Sequence, residues 1–206
     1  MTETRGELVR VVLGSSLAQP DPSVACWITA GRGSLAFILG DEDCRHRLLA
    51  QAINWDRVLL AYHADAPVGY VSFKHRRRGP FSPGISPFLR EFGRLGGTLR
   101  YGLFVISECR EWYYGFYLYG LRVRKAVRRQ GVGSALLQVA AAQALSLGHT
   151  KIELEVQMKN LAARAFYARH DFMPIHTFPT NWLSRVMPFP TVINLRRKLS
   201  PLHEQP

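Results

Sequence analysis

Cysteine is scarce in this 206-residue chain: Cys26, Cys44 and Cys109 are odd in number, and no two of them have CxxC spacing. A disulfide framework and a cysteine-based zinc site are therefore excluded as organising features. The histidines (His46, His63, His75, His149, His170, His176 and His203) are scattered without HExxH spacing, so no metal site is expected. There is no Gly-Lys dipeptide, which removes a Walker phosphate loop, and Ser134 is not part of a GxSxG elbow. The N-terminal stretch MTETRGELVR has no apolar core of a signal peptide, and no apolar run approaches the roughly 18 residues of a membrane span. The expectation is a cytoplasmic protein without a membrane partner. Acidic residues are also few, 15 against 27 Lys and Arg, for a formal net charge of +12. Such a field favours anionic ligands: a phosphorylated cofactor, an acidic substrate or nucleic acid. No RRM, KH or helix-turn-helix signature accompanies the charge, so nucleic acid is not the expected partner.

What the chain does have is a core. Hydrophobic residues make up 47% of it and charged residues 20%, which separates it from disordered sequences. Its length suits one domain, 1–206, with an elaboration and a frayed tail at 200–206. Strands are expected at 7–13, 57–63, 68–74, 112–123, 151–157, 172–175 and 191–198. In 151–157, Ile152, Leu154 and Val156 face one way and Glu153, Glu155 and Gln157 the other, the glutamates as surface or strand-pairing carboxylates. Helical spacing covers 23–38 in broken form, 43–54, 132–147 and 160–170, the last opened by Asn160 as an N-cap. Strands interleaved with helices make the expected class α/β (α+β), a mixed central sheet of six to seven strands flanked by helices.

Two stretches admit a bland and a functional interpretation. Lys74–Arg78 ends a strand in KHRRR, which suits either a solvated end or the binding of an anionic acceptor. In 83–110, Phe88, Phe92, Leu95, Leu99, Leu103 and Ile106 recur at steps of three and four, with Gly93, Gly96, Gly97 and Gly102 between them. This predicts two short helices hinged near Gly96–Gly97, serving as packing or as a lid.

The chemistry concentrates in 117–134, where an aromatic strand runs into the basic turn Arg128–Arg129–Gln130–Gly131–Val132–Gly133–Ser134 and then a helix. First-turn amides have no partner within their helix and the helix dipole favours negative charge there. Glycine lets the backbone approach a ligand, and arginine adds bidentate phosphate contacts. A dinucleotide fingerprint needs a third glycine where Leu136 stands, and its glycines follow the strand directly, so that pattern does not fit.

Arg128, Gly131 and Gly133 fill the pyrophosphate motif Q/R-x-x-G-x-G/A, and Asn160, Ala163 and Tyr167 fill a downstream N-x-x-A-x-x-x-Y in register. One helix and one strand lie between the two motifs. In these features the chain resembles the GNAT superfamily of N-acetyltransferases, closely over 112–176, and a subgroup with a helical insert before the cofactor-binding strand. The resemblance implies a GNAT fold, acetyl-CoA as cosubstrate and direct transfer to an amine. It implies that Leu121, Arg122 and Val123 bond the pantetheine and thioester carbonyl through their backbone, and that the amides of Arg129, Gln130, Gly131, Val132, Gly133 and Ser134 hold the pyrophosphate beside Arg128. Asn160 would bond the pantetheine arm, with Ala163 in the same motif and Phe166 packed against the arm. Tyr167 would be the general acid toward the leaving thiolate.

The resemblance leaves the acceptor side open. Tyr119 and Gly120 stand where many relatives have a glutamate. Tyr119 and Glu111 are taken as candidates there, with Glu108, Glu153 and Glu155 as further carboxylates that could act through water. The acceptor implied is a small-molecule amine or a peptide or protein amine. A homodimer is also admitted. An acyl-CoA-binding regulator without turnover is the alternative on the same fold.

Overall fold

A computed structural model describes residues 9–18, 21–31, 35–109, 114–175 and 191–200. Seven strands form one mixed sheet in the order β1-β2-β3-β4-β5-β7-β6. They are β1 (Arg10–Leu13), β2 (Val58–His63), β3 (Ala66–His75), β4 (Phe116–Val123), β5 (Lys151–Gln157), β6 (Met173–Pro174) and β7 (Val192–Lys198). The first four are joined antiparallel, β4 and β5 run parallel, and β5, β7 and β6 are antiparallel again. The helices are α1 (Pro22–Ala30), α2 (Ala36–Leu39), α3 (Glu42–Leu49), α4 (Ile85–Cys109), α5 (Val132–Ser146) and α6 (Leu161–Ala168).

Local chemistry sets the helix starts. Asp21 accepts from Ser23 N at 2.8 Å with Pro22 at the first helical position, and Asp41 accepts from Cys44 N at 2.8 Å. Each satisfies an amide that the helix itself cannot. Two cores lie on the two faces of the sheet. One gathers Phe73, Phe116, Leu118, Leu136, Leu137, Leu154 and Phe172 around α5. The other gathers Ile28, Leu39, Leu49, Tyr70, Phe88 and Phe104 among α1 to α4.

Three expectations are corrected. Within the 83–110 stretch Ile85–Cys109 is helical, but its break is at Gly93 (φ 73°, ψ 175°), not at Gly96–Gly97. Gly97 instead permits close packing, because a Cβ there would lie 2.4 Å from the Phe88 carbonyl oxygen. The kink also splits the apolar register: Phe88 is buried whereas Leu95, Leu99 and Ile106 are exposed. The second correction concerns Lys74–Arg78, which is not a uniformly solvated end. Lys74 and His75 are buried, and Arg78 donates to Asn54 Oδ1 at 2.7 Å.

The third concerns Glu153, for which the sequence leaves a surface or a strand-pairing carboxylate open: it is 1% exposed, so the surface alternative falls and the pairing one holds. It pairs in register with Arg196, whose Nε donates at 2.8 Å and Nη2 at 2.6 Å to its Oε1. Alternation assigns a face to a residue but does not say what covers that face.

Candidate active site

The sheet comes apart in the middle. β4 pairs with β5 at Tyr117–Glu153 and Leu118–Leu154 only, while its other edge continues along β3 as far as Val123–Gly69. Over 119–123 the β5-facing edge of β4 has left the ladder. The register with β3 passes from Ser72–Gly120 to Phe73–Leu118, which makes Tyr119 the extra residue of a bulge. A bulge increases local twist and redirects a side chain, and here it stands where the two strands begin to diverge. The edge not paired with β5 among the described residues belongs to Tyr119, Gly120, Leu121, Arg122 and Val123, of which Arg122 is exposed and the others half-buried.

The basic turn lies at the far end of this gap. Arg129 (φ 66°) and Gly131 (φ 82°) are both left-handed, and they curl the chain into α5. The first hydrogen bond of α5 runs from Ala135 N to Gly131 O at 2.9 Å, so the amides of Val132, Gly133 and Ser134 precede the helical ladder. Arg128, Arg129 and Gln130 are exposed around them. Arg128 Nε donates to Val123 O at 3.2 Å, which ties the turn to the end of β4. Nothing stands within 4 Å of where a Cβ on Gly131 would be. Open space, turned amides and arginines together make a basic turn of the kind that can hold an anion.

The other wall is α6. Asn160 caps it, accepting from Ala163 N at 3.1 Å, and its amide group still carries two donor hydrogens. Phe166 reaches across to Gly133 and packs against Tyr167, whose ring also meets Phe172 at 5.4 Å. Burial pushes the Tyr167 phenol up to about 12. It is therefore protonated throughout the neutral range. Ser134 Oγ and His170 Nε2 share a 3.0 Å hydrogen bond, and the His170 ring packs on Phe166. Desolvation first, then Arg197 and Arg169, lower the His170 pKa. His170 lies three residues after Tyr167, just past the end of α6.

Among the acceptor-side candidates, Tyr119 lies in the gap as described, and its hydroxyl donates to Glu108 Oε1. Glu111 lies outside the described residues. Glu153 belongs to the Arg196 pair. No cluster of three or more His, Cys, Asp or Glu suited to a metal is present among the described residues, and no described helix is long and apolar enough to cross a membrane.

The model of the acetyltransferase (GNAT) family matches residues 34–172, and the chain belongs to that family. A mycothiol acetyltransferase of Jonesia denitrificans is 37% identical over 76 residues, covering 34% of this chain and 24% of that protein. The chain thus spans about a quarter of the length of this curated relative. Among solved structures, SsHAT superimposes with a TM-score of 0.62 at 15% identity, covering 94% of this chain and 99% of that one. Ard1 of Thermoplasma volcanium does so with a TM-score of 0.52 at 13% identity, covering 94% and 99%. At these identities the structural likeness establishes the fold.

Proposed function

We propose that the protein is an N-acetyltransferase that moves the acetyl group of acetyl-CoA directly to an amine. The observation that carries this is the coincidence of three features along one gap. They are the edge of β4 at 119–123 that is not paired with β5, the first-turn amides of α5, and α6, whose Phe166 meets Gly133 of that turn and packs on Tyr167. The similarity to a protein named mycothiol acetyltransferase supports the same reaction class.

Each wall of the gap has a distinct task in this assignment. Backbone groups of Leu121, Arg122 and Val123 take the pantetheine arm as a strand would take a neighbour, and an amide among them stabilises negative charge developing on the thioester oxygen. The turn amides of 129–134 with Arg128 and Arg129 hold the pyrophosphate. Asn160 and Phe166 hold the arm from the α6 side. Tyr167 donates a hydrogen bond to the departing sulfur. Full proton transfer from a phenol at about 12 to a thiolate of ordinary pKa is uphill on the order of a thousandfold. The phenol's main contribution is thus a charge-assisted hydrogen bond to the sulfur as it leaves. The acceptor is a small-molecule amine or an amine of a peptide or protein.

Thermal denaturation with acetyl-CoA, NAD and ATP tests the donor half. Acetyl-CoA at about 100 times its dissociation constant stabilises by about 2.7 kcal/mol, and the other two by nothing comparable. Equal effects of all three would refute the assignment. Thiol release on addition of primary amines tests the transfer itself.

A further inference from the structure

On the face of β4 opposite Tyr167, a polar cluster is enclosed among β3, β4 and the last turn of α4. Tyr119, redirected by its bulge, donates to Glu108 Oε1. Lys74 reaches the same residue from β3: its Nζ donates to the Glu108 backbone oxygen at 2.6 Å and to Oε2 at 3.3 Å. The Lys74 side chain is 3% exposed and that of Glu108 15%. Removing two charges from water costs several kcal/mol each, which their attraction repays only with good geometry and further hydrogen bonds. Phe81 packs edgewise on Tyr119, and Phe104 is buried nearby in the same core. The two contacts from Lys74 orient the carboxylate so that Oε1 meets the phenol.

We infer that Tyr119 and Glu108 form the proton-accepting end of this site, with Tyr119 touching the acceptor amine and Glu108 acting through it. This rests on the acetyl-transfer assignment above and supplies the half that it lacks. Tyr119 is the first residue of β4 beyond the Leu118–Leu154 pair, at the opening of the gap. Tyr167 packs with the α5-side core and Tyr119 with the α1–α4 core. The group that assists the leaving sulfur and the group that receives the amine's proton therefore lie on opposite faces of the strand that would hold the thioester.

The need for a proton acceptor follows from the amine. An alkylammonium is only about 0.1% neutral at pH 7. Tyr119 Oη has lone pairs to accept an N–H while its own hydrogen is committed to Glu108. In the transfer an N–H bond breaks and an O–H bond forms on Tyr119, whose original O–H bond breaks as one forms on Glu108 Oε1. The ammonium becomes a neutral amine, the carboxylate becomes a carboxylic acid, and nothing is oxidised or reduced. Lys74 is a positioning residue, which fixes the carboxylate and returns it to its ion pair once the proton leaves to water.

The test compares wild type with Glu108→Gln, Glu108→Asp and Tyr119→Phe from pH 6 to 10. CoA release is followed with agmatine, spermidine, tyramine, glucosamine and lysine, and acetyl-CoA affinity is measured by calorimetry. Glu108→Gln and Tyr119→Phe are expected to lose about 100-fold in kcat at pH 7, with affinity for acetyl-CoA within twofold of wild type. The loss should shrink toward pH 10, where the amine deprotonates unaided, and Glu108→Asp should recover part of it. A merely structural role would give a loss independent of pH. Glu108→Gln leaves Lys74 without its counter-ion, and if that variant fails to fold, Tyr119→Phe keeps the ion pair and carries the test. Wild-type kcat in Tyr119→Phe across the pH range overturns the inference. So does a wild type that binds acetyl-CoA but releases no CoA with any of these amines. Failure to bind acetyl-CoA would instead overturn the acetyl-transfer assignment.

Discussion

Gly133 and Phe166 approach so closely that a Cβ on the glycine would lie 3.1 Å from Phe166 Cζ and 3.3 Å from Cε2. Phe166 of α6 thus limits which side chains can replace the second glycine of the turn. Gly133→Ala asks Phe166 to move by a few tenths of an ångström while gaining up to about 1 kcal/mol of helix propensity, so its stability should stay within about 1 kcal/mol of wild type. Gly133→Val overpacks the contact and should cost about 2 kcal/mol in urea denaturation. If Val matches Ala, Phe166 is not the constraint.

Gly131 differs from its neighbour because nothing crowds its Cβ position and its φ of 82° is the constraint. Gly131→Val should cost about 1–3 kcal/mol in stability through backbone strain. It should weaken acetyl-CoA binding by more than tenfold, because the side chain occupies the open side of the cradle. Calorimetry on the folded variant checks this, and an unchanged dissociation constant would remove the pyrophosphate from this turn.

Tyr167→Phe removes one hydroxyl from a packed ring. Stability and acetyl-CoA affinity should change little, whereas kcat should fall by about 10- to 100-fold, the loss of one charge-assisted hydrogen bond. With the phenol at about 12, wild-type activity should show no basic limb from this residue below about pH 11. A fall in affinity with kcat unchanged would assign Tyr167 to binding alone.

His75 Nδ1 and His149 Nε2 share a 2.7 Å hydrogen bond at the end of β3. Burial depresses both pKa values, aided at His75 by His149, Arg57 and Arg76 and at His149 by Arg76. Above the ordinary histidine value of 6.5, neither the folded nor the unfolded chain is protonated there. Below it the unfolded chain takes up protons that the folded pair refuses, so stability falls with falling pH until the depressed folded values are reached. The melting temperature should therefore drop from pH 7 to pH 5, and His149→Gln should flatten that drop. A wild-type melting temperature that is constant or rising over this interval would show that the pair does not resist protonation.

Much of the local geometry of the basic turn and of the start of α6 was legible along the chain. The amides of a helix's first turn, the left-handed glycine before them and the Asn160 cap are local features, formed by residues within a few positions of one another. The alternation of β5 and the amphipathic run of α5 are equally local, and both elements occur where their periodicity puts them. Tertiary structure decided what local pattern does not encode. The kink at Gly93 and the near contact of Gly97 with Phe88 depend on how α4 folds back on itself. The burial of Glu153 depends on Arg196 arriving from a strand more than 40 residues later. The joining of Lys74, Glu108 and Tyr119 depends on three elements meeting on one face of the sheet, so no spacing in the sequence announces it. The sequence by itself determined the groups available to a phosphate, because short-range backbone geometry makes them. Only the fold decided which carboxylate meets Tyr119, because that contact is set by long-range packing.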